Sequence, residues 1–375
     1  MSSRKFLFVI NHIDWFWSHR LPLAKGAQSE GWDVSVAVTG AKDDQNLTKQ
    51  LFTGYELPPS DQGYMPFSLL KIIWSIHKII KREKPDVLHA ITLKYAFLAG
   101  LAARFHKNIC VVHTLAGLGY LFSGEGMKPK ILRIIVGPFL KLALKSDNTE
   151  LIFQNPDDMA LMIKRGFANP DQSTLIRGSG VDLKEFPLIP IPQDDAPIVL
   201  MPTRLVHDKG VAVFIEAANI LLAKNVPARF QIAGGITTNN PNAISKAEMD
   251  GMIDGTNVEW LGKISDMPAL YAASSLICYP SYYGEGVPKV LLEAAATGRA
   301  IITTDHPGCR EAVRDKESGL LVPIKDAKAT AAAIEALLKD PEKLALMGGK
   351  SRELANSEFD VASVVKRTLA VYQKT

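Results

Sequence analysis

The feature that most constrains this chain is a rhythm that runs twice. Short aliphatic and β-branched runs at 6–10, 34–38, 87–90, 109–114 and 151–154 alternate with stretches of helical period at 67–82, 95–105 and 130–145. The runs are apolar along their length, the pattern of strands buried on both faces of a parallel sheet. A Pro-rich, acidic stretch, FPLIPIPQDDAP at 186–197, breaks the period and reads as an extended linker. The rhythm then restarts, with strand runs at 198–203, 229–233, 258–261, 276–279 and 300–303 and helices at 211–223, 267–273 and 288–297. This alternation predicts an α/β chain of two Rossmann-like domains, 1–187 and 188–357; residues 358–375 are expected to form a closing helix that returns to the first. A chain of 375 residues is long enough for two such cores. Ligands of these folds sit beyond the carboxyl ends of the strands, and the cleft between the domains is the expected meeting place of substrates.

Composition enters by exclusion. The three cysteines, Cys110, Cys278 and Cys309, are few and far apart, which argues against a disulfide framework. The N-terminus reads as a first strand without a signal-peptide cleavage site, and no run of about 18 apolar residues spans a bilayer. The expected location is cytoplasmic. Up to Pro187 the balance of basic over acidic residues is +6, and beyond it −2. A mildly basic first half suits an anionic partner, whether membrane surface, phosphate or nucleic acid.

Two loops carry the candidate chemistry. In PTRLVHDKG, Arg204 and Lys209 follow a strand directly and precede a helix, so two cations and a helix N-terminus could hold a diphosphate. A solvated charged loop has the same composition, and the spacing alone does not separate the two. GEGVPKVLLEAAATG, at 284–298, is more specific. Pro288 suits the first turn of a helix, and Glu293 lies within it, eight residues after Glu285. Amid LLEAAA a carboxylate is expected to be partly buried and to need a hydrogen-bonding partner, such as a ribose diol. The alternatives are a surface position for Glu293 and an N-terminal helix charge for Glu285. GSGVD, at 178–182, closes the first half and is weak as a motif. There is no Asp-x-Asp, and the His and Cys spacings match no metal site. A leaving diphosphate would then be neutralised by protein cations.

Taken together, GSGVD, PTRLVHDKG, PSYYGEGVPKVLLEAAATG and PGCREAV, in this order, resemble glycosyltransferase family 4, of GT-B fold: two Rossmann-like domains with parallel sheets facing across a cleft. The resemblance covers nearly the whole chain and implies a retaining enzyme with no cofactor and no metal. It implies that Arg204 and Lys209 hold the donor diphosphate, that Glu285 contacts the donor sugar and Glu293 the ribose. It places Gly286, Val287 and Glu311 near the donor, and Ile264 in the loop expected to meet the base. SHRLPLAKG (18–26) and TLAGLGYLF (114–122) resemble a narrower branch that extends undecaprenyl-diphosphate-linked sugars. Departures are a bulky NHIDWFWSH after the first strand, where many members have a Gly-rich loop, and Ala116 where many have a His. His113, three residues earlier, is a doubtful substitute, and Gly117 and Gly119 are expected to approach the sugar through backbone alone. His19, with Arg20 beside it at the start of the helix after the first strand, is the active-site candidate among the histidines. A helix-terminal His without substrate contact is the alternative. His89 serves equally well as a structural residue.

The stretch 69–82 puts Leu69, Ile72, Ile73, Ile76 and Ile80 on one helical face and Lys71, Lys78 and Arg82 on the other, as a helix packed on a core would. The stretch 127–145 holds Lys128, Lys130, Arg133, Lys141 and Lys145, no acid, and large apolar residues nearly all round, including Ile134, Leu140 and Leu144. That composition predicts an interfacial helix, although Pro138 would kink it or split it in two. The resulting expectation is transfer of a sugar (an N-acetylhexosamine or hexose) from a UDP-sugar donor to a polyprenyl-diphosphate-linked saccharide acceptor. The enzyme would lie peripherally on the inner face of the cytoplasmic membrane. The rivals are a transferase with a soluble acceptor, an epimerase of the same fold, and a non-catalytic subunit that binds a partner transferase. Nucleic acid is not expected, because the basic residues interleave with aliphatic rather than stacking aromatic side chains.

Overall fold

The computed structural model describes residues 3–59, 66–106, 108–124, 126–193, 196–237, 240, 242–282 and 284–374. The chain forms two compact units, one of Met1–Ser179 with Ala362–Thr375 and one of Gly180–Val361.

The first unit runs β1 (Lys5–His12), α1 (Ile13–His19), α2 (Leu21–Ser29), β2 (Asp33–Thr39), α3 (Gln45–Lys49), β3 (Thr53–Glu56), α4 (Pro66–Glu83), β4 (Val87–Ile91), α5 (Leu93–Ala103), β5 (Cys110–Leu115), α6 (Gly119–Ser123), α7 (Met127–Leu144), β6 (Thr149–Phe153), α8 (Pro156–Lys164) and β7 (Ser173–Leu175). Its parallel sheet has the order β3-β2-β1-β4-β5-β6-β7. Alternation along β1 sends Phe6, Phe8 and Ile10 to one face, where they meet Phe16 of α1 and Leu23 of α2. It sends Leu7 and Val9 to the other, against Ile72 and Ile76 of α4 and Leu98 of α5. Each of these buried side chains contributes roughly 1.5–3 kcal/mol relative to exposure.

The second unit runs β8 (Ile198–Pro202), α9 (Val211–Ala223), β9 (Arg229–Ala233), α10 (Lys246–Ile253), β10 (Val258–Gly262), α11 (Met267–Ala273), β11 (Leu276–Tyr279), α12 (Lys289–Ala296), β12 (Ala300–Thr304), β13 (Gly319–Val322), α13 (Ala327–Leu338) and α14 (Pro341–Leu354). Its sheet order is β10-β9-β8-β11-β12-β13, again parallel. The closing helix α15 (Val361–Val371) places Val364 and Leu369 in the core of the first unit, with Tyr372 beyond its end.

The boundaries differ from those read in the sequence. The units part at 179/180 and 361/362, not at 187/188 and 357/358. The Pro-rich stretch is part of the second unit: Phe186 is buried and Ile191 packs on the core, while Leu188 stays exposed. The buried Arg299 guanidinium donates to the carbonyls of Ile189 (2.6 Å) and Pro190 (3.3 Å) within that stretch. Asp194 and Asp195 lie outside the described residues. β3, β7 and β13 had no signal in the sequence; they are short and only partly buried, so little apolar pattern marks them. The segment expected to be a bulky loop after β1 is the helix α1, capped by His12, whose Nδ1 accepts from the Asp14 amide (3.3 Å).

Candidate functional site

In the second unit the strand order reverses between β8 and β11, so their two following loops lie side by side at the carboxyl edge. This is the crevice where open α/β sheets take ligands. The first loop carries Arg204, which is exposed, and Lys209, which is 3% exposed. The second carries Glu285. Lys209 Nζ donates to Glu285 Oε1, an ion pair between residues 76 apart in sequence. Glu285 also accepts from Tyr279 Oη (3.1 Å) and Ser281 Oγ (3.4 Å). The Lys209 ammonium lies 5.4 Å from the centroid of the Tyr279 ring. Burial, followed by the Glu285 charge, pushes the Tyr279 phenol far above its ordinary range, so it stays a donor. Gly210 follows at φ 81°, and a Cβ there would run into the Pro280 carbonyl. The close approach of the two loops therefore requires glycine.

Glu293 is buried on α12, whose N-cap is Pro288, one residue before the helical first turn expected for it. Its carboxylate has protein partners: Tyr271 Oη at 3.1 Å and Lys289 Nζ at 3.4 Å, one turn back. Burial raises its pKa, opposed by Lys289 and the Tyr271 hydrogen bond. Tyr271, which also donates to the Val290 carbonyl (2.9 Å), had no signal beyond its place on a helical face. The same holds for Tyr279, read only as the last residue of a strand.

Gly286 and Val287 are buried at the end of the loop between β11 and α12, and a Cβ on Gly308 would strike the Gly286 and Glu285 carbonyls. Glu311 is buried in a single turn at Arg310–Ala312. Burial pushes the neighbouring Cys309 thiol up to about 12, which leaves it an unreactive thiol. Ile264 is half-buried after β10 and packs on the core shared by β11 and α12.

In the first unit His19 closes α1 instead of opening a helix; α2 begins at Leu21. Its ring stacks on Trp15 (centroids 4.7 Å) and its Nδ1 meets Ser18 Oγ at 2.7 Å. His89 is structural: fully buried, it bonds Tyr372 Oη (2.6 Å) and Thr114 Oγ1 (2.7 Å). His113 is also fully buried, and desolvation lowers its pKa to about 3. Both of its ring nitrogens are buried. Gly117 and Gly119 follow β5 at positive φ, 88° and 54°, and nothing lies within 4 Å of a Cβ placed on Gly119.

The basic helix α7 is continuous through Pro138, which lies on its exposed side, where water can replace the lost intrahelical bond. Leu140 and Leu144 are buried in the core and cannot face a membrane. Ile131, Ile134, Ile135, Phe139 and Leu142 are the exposed apolar residues, together with Met127. Lys128, Lys130 and Lys141 are exposed. Arg133 is half-buried against the Leu121 (3.2 Å) and Phe122 (3.4 Å) carbonyls, and Lys145 is half-buried. On α4 the apolar face Ile72, Ile76 and Ile80 is buried as expected, but Phe67, Leu70 and Trp74 are exposed. Among the described residues no helix is long and apolar enough to cross a membrane, and no three His, Cys, Asp or Glu side chains are grouped to hold a metal ion.

Two family models match the chain, "Glycosyl transferase 4-like" over 5–155 and "Glycosyl transferases group 1" over 186–354. A curated relative from Campylobacter jejuni, an N,N'-diacetylbacillosaminyl-diphospho-undecaprenol alpha-1,3-N-acetylgalactosaminyltransferase, is 29% identical over 367 residues, covering 95% of this chain and 94% of its own. A UDP-Gal:alpha-D-GlcNAc-diphosphoundecaprenol alpha-1,3-galactosyltransferase from Escherichia coli is 26% identical over 81% of this chain and 79% of its own. Among solved structures, a sucrose-phosphate synthase from Thermosynechococcus elongatus superposes with a TM-score of 0.81 at 21% identity, covering 99% of both chains, a likeness of fold. With one family model on each Rossmann-like unit, and the paired Lys209–Glu285 loops at the switch point of the second, the chain belongs to the group 1 and 4-like glycosyltransferases of GT-B fold.

Proposed function

We propose that this glycosyltransferase moves a sugar from a UDP-sugar to a polyprenyl-diphosphate-linked saccharide, with retention of anomeric configuration and without a metal, in assembly of a bacterial surface glycan. The donor reading rests on the switch point of the second unit. There Arg204 and Lys209 are assigned the departing diphosphate, with Glu285 fixing the ammonium and contacting the sugar. Glu293 takes the ribose, with Tyr271 and Lys289 holding its carboxylate in place. Gly286, Val287, Ile264 and Glu311 complete the donor side. In a retaining transfer of this kind the leaving phosphate can take the proton of the incoming hydroxyl, so no protein nucleophile is needed.

The acceptor class is carried by one observation, the outer surface of α7. Six large apolar side chains and three exposed lysines share one helix without any carboxylate. Three lysines near an anionic leaflet contribute about 3 kcal/mol together, and apolar burial at the headgroup boundary adds to this. A soluble acceptor gives no reason for such a face. The two undecaprenol-linked relatives point the same way.

The test has two arms. Transfer is measured from UDP-, GDP- and ADP-sugars to a short prenyl-diphosphate-linked sugar and to the free sugar, in excess chelator, with the product anomer read by NMR. Flotation with anionic vesicles compares wild type with a Lys128→Gln, Lys130→Gln, Lys141→Gln variant at low and high salt. Preferred transfer to the free sugar, with equal and poor flotation of both proteins, sinks the lipid-linked reading.

A further inference from the structure

The first unit has its own switch point. In the order β3-β2-β1-β4-β5-β6-β7 the chain turns back between β1 and β4, and the crevice outside their carboxyl ends is a ligand position in open α/β sheets. Arg20 follows β1 by way of the short helix α1 and is the residue preceding the first turn of α2, whose N-terminus has no side-chain cap. Arg20 is only 7% exposed, and its Nε makes no hydrogen bond. No carboxylate among the described residues is paired with it. The groups its charge reaches are His89 on β4 and Tyr372. These are already bonded to each other at 2.6 Å, and His89 to Thr114 at 2.7 Å, so neither supplies an anion.

Desolvation lowers the guanidinium pKa to about 10, a sign of what holding this cation without a counter-ion costs. A buried charge is ordinarily paired, and an apolar residue of similar volume is often the more stable occupant. A guanidinium is also the fork that grips two phosphate oxygens, and a helix N-terminus favours the same charge. We propose that Arg20, with the N-terminus of α2, is the anion site of the first unit and receives a phosphate of the acceptor's diphosphate. The assignment of that phosphate to the acceptor rests on the lipid-linked reading above; the anion site itself rests on the geometry.

The test is binding, with saturating UDP present so that the donor diphosphate site is filled. Geranyl diphosphate, geraniol and inorganic diphosphate are titrated against wild type, Arg20→Met and Arg20→Lys. Geranyl diphosphate is expected to bind Arg20→Met at least tenfold more weakly, with geraniol binding unchanged and the thermal midpoint no lower than wild type. Equal affinity of Arg20→Met and wild type for geranyl diphosphate overturns the proposal. So does a lowered midpoint accompanied by equal loss of geraniol binding, because that marks a structural residue. Should Arg20→Met not fold, Arg20→Lys decides: at least threefold weaker binding is expected, and unchanged affinity overturns it. If wild type uses a lipid-linked acceptor and Arg20→Met keeps its acceptor KM, the site is wrong and the lipid-linked reading stands. If inorganic diphosphate binds through Arg20 but no lipid-linked acceptor is used, the anion site stands and that reading fails.

Discussion

Replacing Lys209 by Met tests whether the pair with Glu285 holds the two switch-point loops together. Lys209 is 3% exposed and Glu285 19%, so water compensates little when one partner is removed. Breaking a buried pair from one side typically costs about 3–5 kcal/mol. Glu285 keeps Tyr279 and Ser281 as donors, which places Lys209→Met at the low end, about 3 kcal/mol. Glu285→Gln leaves a buried ammonium and should cost about the same. The double variant leaves no orphaned charge, so its loss should stay near about 3 kcal/mol instead of doubling, a coupling of about 3 kcal/mol. Hydrogen exchange at the β8 and β11 amides, followed through urea, reads the second unit by itself. Single costs that simply add, with coupling below about 0.5 kcal/mol, would refute the idea that the pair is a structural tie.

Four further outcomes follow from the same geometry. Arg204→Ala, at an exposed cation, should lower kcat by about 10²–10³ with stability unchanged, measured as sugar transfer beside a urea titration; wild-type turnover removes Arg204 from the diphosphate. Burial raises the Glu293 pKa, so its contribution to folding is complete below the ordinary carboxyl range and is lost as pH rises through the folded value. Glu293→Gln should therefore gain thermal midpoint relative to wild type from acid to neutral pH, and a difference that ignores pH contradicts this. Gly210→Ala should cost more than about 2 kcal/mol, from the positive φ and the Pro280 carbonyl together, whereas Gly119→Ala should cost only about 1 kcal/mol, because it has the positive φ without the clash. Arg299→Met should cost about 3–5 kcal/mol in the same exchange assay, since the guanidinium serves five backbone carbonyls from Ile189 to Thr297 and is fully buried.

What the sequence determined by itself was the local pattern. Apolar runs such as Phe6 to Ile10 are dictated by the need to bury both faces of a parallel strand, and that need is written residue by residue. Helices at 211–223 and 267–273 were legible to the residue because period, caps and proline act over one or two turns. The turn and helix start within 284–298 were legible for the same reason, since glycine and proline mark them in one segment. Partnership between distant residues was not legible. Lys209 and Glu285 were both singled out, yet nothing in their spacing says that one neutralises the other. That follows from β8 and β11 being neighbours in the sheet, a fact of topology. The same limit hid Tyr271 beneath Glu293 and made the Pro-rich stretch look like a linker, when Arg299, about 110 residues away, holds its carbonyls. It also misplaced the apolar side of α7: helical period gives which residues share a face, but only packing against α5 and α6 decided that Leu140 and Leu144 turn inward while Ile134 turns out. Arg20 belongs to this second class most clearly. A sequence shows a basic residue beside a histidine, whereas burial without a counter-ion is a property of everything packed around it, and it exists only once the sheet has closed over the side chain.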